Sequence, residues 1–261
     1  MSSATSFALS ARFQSSASFG YADTRALVHP TNFSDGKHWN DSGHNLVGTC
    51  AYNCQAAALT AMGISSGTVK VGEIGDSRLA GTDATTIGTT DARAIRKGLA
   101  AGRGYTDSPV GPVADVAGHL HFARSGYTTR SNTISAQTGH SPRNAHAASL
   151  DAFVGSGKSY NDTRLWIDSI HVNDVLGITE SAANEWDWAD ERLRSYEYLC
   201  AQQFAINGWY PGIVILNEPL TSDAATAWSN RMITAYNREL HAVARMAVAA
   251  GATVRMGDLH G

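Results

Sequence analysis

Short apolar runs alternate along the chain with longer stretches of helical periodicity, the pattern of a parallel sheet covered by helices on both faces. The predicted strands are Thr68 to Ile74, Ala117 to Phe122, Arg164 to Ile170, Gly212 to Leu216 and Thr253 to Met256. Each stops at a loop signal. Gly75-Asp76-Ser77 follows the first, Arg124-Ser125-Gly126 the second, His171-Val172-Asn173-Asp174 the third and Asn217-Glu218-Pro219 the fourth. Helices are predicted near Asp91 to Ala101, Pro142 to Phe153, Glu185 to Ile206 and Asp223 to Ala250. The last carries Trp228, Met232, Ile233, Tyr236, Leu240, Val243 and Ala247 close to a 3.6-residue stripe. Five strands with intervening helices make a three-layer, doubly wound α/β domain. Reactive groups in such sheets gather at the carboxyl ends of the strands, where these polar clusters fall.

The first 67 residues break the rhythm. Residues 1–30 are rich in Ser, Ala and Phe without clear periodicity, and residues 32–43 read as a polar loop. Asn45 to Met62 follows as a helix, and Gly63 to Gly67 as a short flexible link. Composition narrows the partners. With 20 Lys+Arg against 23 Asp+Glu, the net charge of −3 lacks the basic excess expected for nucleic-acid or membrane-surface binding. No run is apolar enough to span a membrane, and the first residues lack the charged and apolar regions of a secretion signal. The chain is only 16% charged and rich in small residues, which suits an extracellular or virion-associated protein as well as an enzyme and fixes no compartment. Cys50, Cys54 and Cys200 cannot form a disulfide framework, and the first two read as buried small residues on one helix rather than a metal pair.

The chemistry lies in the strand-end loops. Gly75-Asp76-Ser77 would present a hydroxyl at the carboxyl edge of the sheet, where its N–H can also help hold an oxyanion. With Gly126 after the second strand and His171-Val172-Asn173-Asp174 after the third, the chain resembles the SGNH (GDSL-type) hydrolases, esterases and lipases on a flavodoxin-like sheet. His171 departs from that family's Gly-x-Asn-Asp block. The resemblance implies Ser77 as nucleophile and an oxyanion hole of the Ser77 and Gly126 N–H groups with the Asn173 amide. Intervals of 49 and 47 residues each leave room for one helix and one strand.

The family's base comes from an Asp-x-x-His loop after the fifth strand, and no such loop follows Met256 here. Asp35-Gly36-Lys37-His38, with Trp39, Asn40 and Gly43 leading into a helix, is similar to that block. The expectation is therefore a single domain, 1–261, that is circularly permuted. Residues 1–62 would hold the catalytic loop and last helix, 63–67 a linker, and 68–261 the five strands with the Ser, Gly and Asn blocks. Chance supplies roughly 0.6 Asp-x-x-His matches at this composition. Asp168-x-x-His171 is another match, at a strand end where residues three apart face opposite ways. Asp258 and His260 are a third option. Asp35 as orienter, His38 as base and Ser77 as nucleophile imply ester hydrolysis through an acyl-enzyme without cofactor or metal. The expected substrates are small-molecule or carbohydrate esters of short acyl groups such as O-acetyl, with Trp39, Asp76, Arg78 and Asp174 around the pocket. The alternative is an inactive SGNH-fold glycan-binding or virion structural module.

Other attractive residues read as structural. Asn217-Glu218-Pro219 is similar to the acid/base motif of some TIM-barrel glycosidases, but Glu239, inside a predicted helix, is the one Glu after it. His119 and His121 lack a third ligand at suitable spacing, and Trp186 and Trp188 fit packing at a helix start.

Overall fold

The computed structural model describes residues 18–21, 30–35, 38–65, 69–76, 78, 120–123, 163–169, 187–218 and 227–259. Strands β1 (Phe19–Tyr21), β2 (Lys70–Gly75), β3 (Leu120–Ala123), β4 (Thr163–Ser169), β5 (Gly212–Leu216) and β6 (Thr253–Gly257) form one sheet in the order β1-β6-β5-β4-β2-β3. Every pairing is parallel. From β2 onward the order is that of a flavodoxin-like sheet, with which the architecture is compatible. The sheet has six strands among the described residues where five were expected, because the aperiodic N-terminal segment supplies β1 beside β6. Three residues are too short to show a period-two pattern, and Val254 N donating to Ser18 O at 2.7 Å does the joining.

Strand alternation divides the core in two. On one face Trp166, Ile213, Ile215, Val254 and Met256 meet helices α2 (Asp187–Asn207) and α3 (Ala227–Ala249). On the other Leu165, Ile167, Val214 and Leu216 meet α1 (Asp41–Ala61). Each fully buried aliphatic side chain contributes about 1.5–3 kcal/mol, so a strand buried on both sides is apolar at consecutive positions, as Ile213 to Leu216 is. The α3 stripe holds at Ile233, Tyr236, Leu240, Val243 and Ala247, all buried.

α1 packs across β4, β5 and β6 although it precedes β2 in the chain. It starts four residues earlier than expected because Asn40 caps it, its Oδ1 accepting from Gly43 N at 3.1 Å. It ends at Gly63, whose φ of +73° lets its own N–H reach Thr60 O and that of Ile64 reach Leu59 O. Gly63 and Ile64 thus complete the helix instead of forming a flexible link. Cys50 and Cys54 are buried against Gly257, where an added Cβ would lie 2.8 Å from the Cys50 Sγ. The predicted helices near 91–101 and 142–153 lie outside the described residues. Among those described, no helix is long and apolar enough to cross a membrane.

Candidate active site

The loop carrying Asp35 and His38 is closed by its own backbone. Phe33 and Trp39 pair as an antiparallel bridge, Ser34 N donates to His38 O at 2.9 Å, and Asn40 N donates to Asn32 O at 2.9 Å. Asn40 Nδ2 also donates to Thr31 O at 2.7 Å, so the residue that caps α1 ties down the start of the loop. Gly43 permits the close approach. A Cβ there would sit 2.4 Å from Asn32 O and 3.0 Å from the Trp39 Cβ.

Within this frame Asp35 holds His38 twice. Its Oδ1 accepts from His38 N at 2.6 Å and its Oδ2 lies 2.8 Å from His38 Nδ1. A carboxylate on Nδ1 orients the imidazole and favours the tautomer whose free lone pair is on Nε2. The His38 side chain is 23% exposed, so the ring is open to solvent on one side. Asp35 and His38, chosen from sequence as orienter and base, are brought together.

The turn after β2 faces this loop from the sheet. Asp76 Oδ1 accepts from Arg78 N at 2.9 Å, tying together the two residues that flank Ser77. The Arg78 guanidinium lies 5.6 Å from the Phe33 ring centroid and 5.4 Å from that of Trp39. Those rings belong to the two residues that bound the loop of Asp35 and His38. Glu218, just past β5, forms a buried ion pair with Arg78. Trp39, Asp76 and Arg78 were expected around the pocket. All three are buried, and Trp39 also meets His44 edge-on at 5.5 Å between ring centroids. Ser77, Gly126, Asn173 and Asp174 lie outside the described residues.

The remaining strand ends are locked together. Asn217 Nδ2 donates to Asp258 Oδ1 at 2.7 Å while its Oδ1 accepts from Leu259 N at 2.5 Å, joining the ends of β5 and β6. Asn237 on α3 grips the Glu218 backbone, accepting from its N at 2.9 Å and donating to its O at 2.7 Å. A groove of about 640 Å³ opens beside them, lined in part by Asn217, Asn237, His241, Arg245 and Asp258. Burial, with Arg245 nearby, lowers the His241 pKa, and Asp258 opposes this.

The rival acids have other partners. Asp168 accepts from Arg192 Nη2 at 2.7 Å and from the Tyr196 hydroxyl, and Arg192 Nη1 donates to Tyr236 OH at 2.6 Å. This buried group faces α2 and α3. Burial first, then the Asp168 charge, pushes the Tyr196 hydroxyl well above its usual pKa. His171 and His260 lie outside the described residues. Sequence reasoning missed Glu218 as Arg78's counter-ion and Phe33 as its second aromatic neighbour. Glu218 is buried two residues past β5, and a buried carboxylate of this kind is costly without a cation.

Comparisons with protein-family models, with curated proteins and with solved structures each find no match to this chain.

Proposed function

We propose that this chain is a circularly permuted serine ester hydrolase of the SGNH type, acting through an acyl-enzyme on short acyl esters, O-acetyl groups of carbohydrate foremost. His38 Nε2 takes the Ser77 proton as the oxygen attacks the ester carbonyl. Asp35 stabilises the imidazolium, and the Ser77 and Gly126 N–H groups with the Asn173 amide receive the oxyanion. The proton returns to the leaving alcohol, and water activated by the same histidine releases the acid.

One observation carries the reading. Asp35 Oδ2 lies 2.8 Å from His38 Nδ1 on a loop whose bounding aromatics flank the guanidinium of the residue next to Ser77, the arrangement that an orienter and its base require. The position of α1 across β4, β5 and β6 supports the permutation, because that is where the helix after a fifth strand would pack. Hydrolysis of p-nitrophenyl acetate by wild type, Ser77→Ala and His38→Ala tests the assignment. Loss of the nucleophile or base is expected to abolish turnover, as removal of a triad member elsewhere costs about 10⁴–10⁶ in kcat. Equal rates for all three proteins would overturn it and leave the inactive glycan-binding or virion structural module.

A further inference from the structure

The buried Arg78–Glu218 pair calls for an explanation that stability does not provide. Taking both charges out of water is expensive, and well-packed apolar residues in place of such a pair are often as stable or more so. Its placement is informative. Arg78 follows Ser77 directly, and its backbone is tied to Asp76 across that position. Its guanidinium lies near Phe33 and Trp39, the two bridge-paired residues that bound the loop of Asp35 and His38. From the opposite side, Asn237 fixes both backbone polar groups of Glu218. An unbroken series of contacts therefore runs from α3 through Glu218 and Arg78 to the loop that bears the base.

We propose that Arg78, oriented by Glu218, is a positioning residue that sets the separation between the turn carrying Ser77 and the loop carrying His38. It touches neither substrate nor reacting atoms. Its guanidinium bonds the carboxylate through Nη1 while its central carbon lies over both aromatic rings, a span that a compact lysine ammonium cannot match. The inference rests on the reading of Ser77 as nucleophile and His38 as base.

The test uses Arg78→Lys and Glu218→Gln in the full chain, with three readouts. These are kcat and KM on p-nitrophenyl acetate, the thermal midpoint, and amide exchange at Ser34 and Asn40, whose N–H groups close the base loop. A displacement of about 1 Å in a reacting group costs roughly 10²-fold, so kcat should fall by that order while KM stays within about threefold. Exchange at the two amides should quicken in both variants. Glu218→Gln, nearly isosteric, keeps the test decisive should Arg78→Lys not fold. Unchanged kcat and unchanged exchange in a folded variant would overturn the proposal, as would a loss confined to KM. A wild type without esterase activity would end the hydrolase reading and the catalytic sense of this contact. The exchange data would still report whether Arg78 anchors the loop, so the two failures can be told apart.

Discussion

Replacing Gly43 with alanine sets two effects of opposite sign against each other. Gly43 lies in the first turn of α1, where alanine's better helix propensity would stabilise by up to about 1 kcal/mol. The new Cβ, however, would stand 2.4 Å from Asn32 O, a backbone atom, and 3.0 Å from the Trp39 Cβ. Neither can swing aside, so the loop itself must shift, and overpacking of this kind costs about 1–3 kcal/mol. The displaced Asn32 carbonyl also accepts from Asn40 N, and weakening that bond costs up to about 1 kcal/mol more. The clash wins by about 1–3 kcal/mol. At about 2–4 °C per kcal/mol for a chain of this size, the midpoint should fall by about 2–12 °C in differential scanning calorimetry. The shift falls on the frame of Asp35 and His38, so under the proposed function p-nitrophenyl acetate hydrolysis should drop as well. A Gly43→Ala protein that melts higher than wild type would show that propensity outweighs the contact and that the loop is not braced against α1 as described.

Two further predictions concern buried titratable groups on the α2 and α3 face. Asp168→Asn leaves the Arg192 guanidinium without its carboxylate and should destabilise by about 3–5 kcal/mol in urea unfolding; a loss below 1 kcal/mol would refute the network's structural role. Burial pushes the Cys200 thiol up to about 12, from an ordinary value of 9.0. The unfolded thiol therefore ionises at a lower pH than the folded one. Its contribution is intact below pH 9 and is lost as pH rises from 9 to 12, by at most about 4 kcal/mol. Tyr196 acts with the same sign above pH 10. Alkaline unfolding curves should shift to higher pH in Cys200→Ala once the neutral-pH stability difference is subtracted, and identical slopes would rule the thiol out.

The sheet was legible because apolar runs such as Ile213 to Leu216 have no fold-neutral explanation, and loop residues mark their ends. Asn40 and Gly43 were legible only as residues leading into a helix; the cap and the close approach depend on where Thr31 and Asn32 fold back onto them. β1 left no trace, since a three-residue edge strand is defined by its partner rather than by its own pattern. The burial of Arg78 was equally hidden. A charged residue beside a reactive turn reads as a substrate contact until its counter-ion is known, and Glu218 lies 140 positions away along the chain. Local sequence reports propensity and spacing; it reports nothing about which distant charge will compensate a buried one.

The packing of α1 also determines when the molecule can assemble during synthesis. Its apolar side, Val47, Cys50, Ala51, Cys54, Ala58 and Leu59, is translated early but buried mainly against β4, β5 and β6. At about 5–20 residues per second, some 10–40 s separate the two, an interval in which a helix with an uncovered greasy side sits beside the ribosome. Parallel pairing between segments so remote in sequence is intrinsically slow to nucleate. The loop of Asp35 and His38 precedes β5 in the chain, so it is braced only after β5 has emerged and brought Glu218 to Arg78.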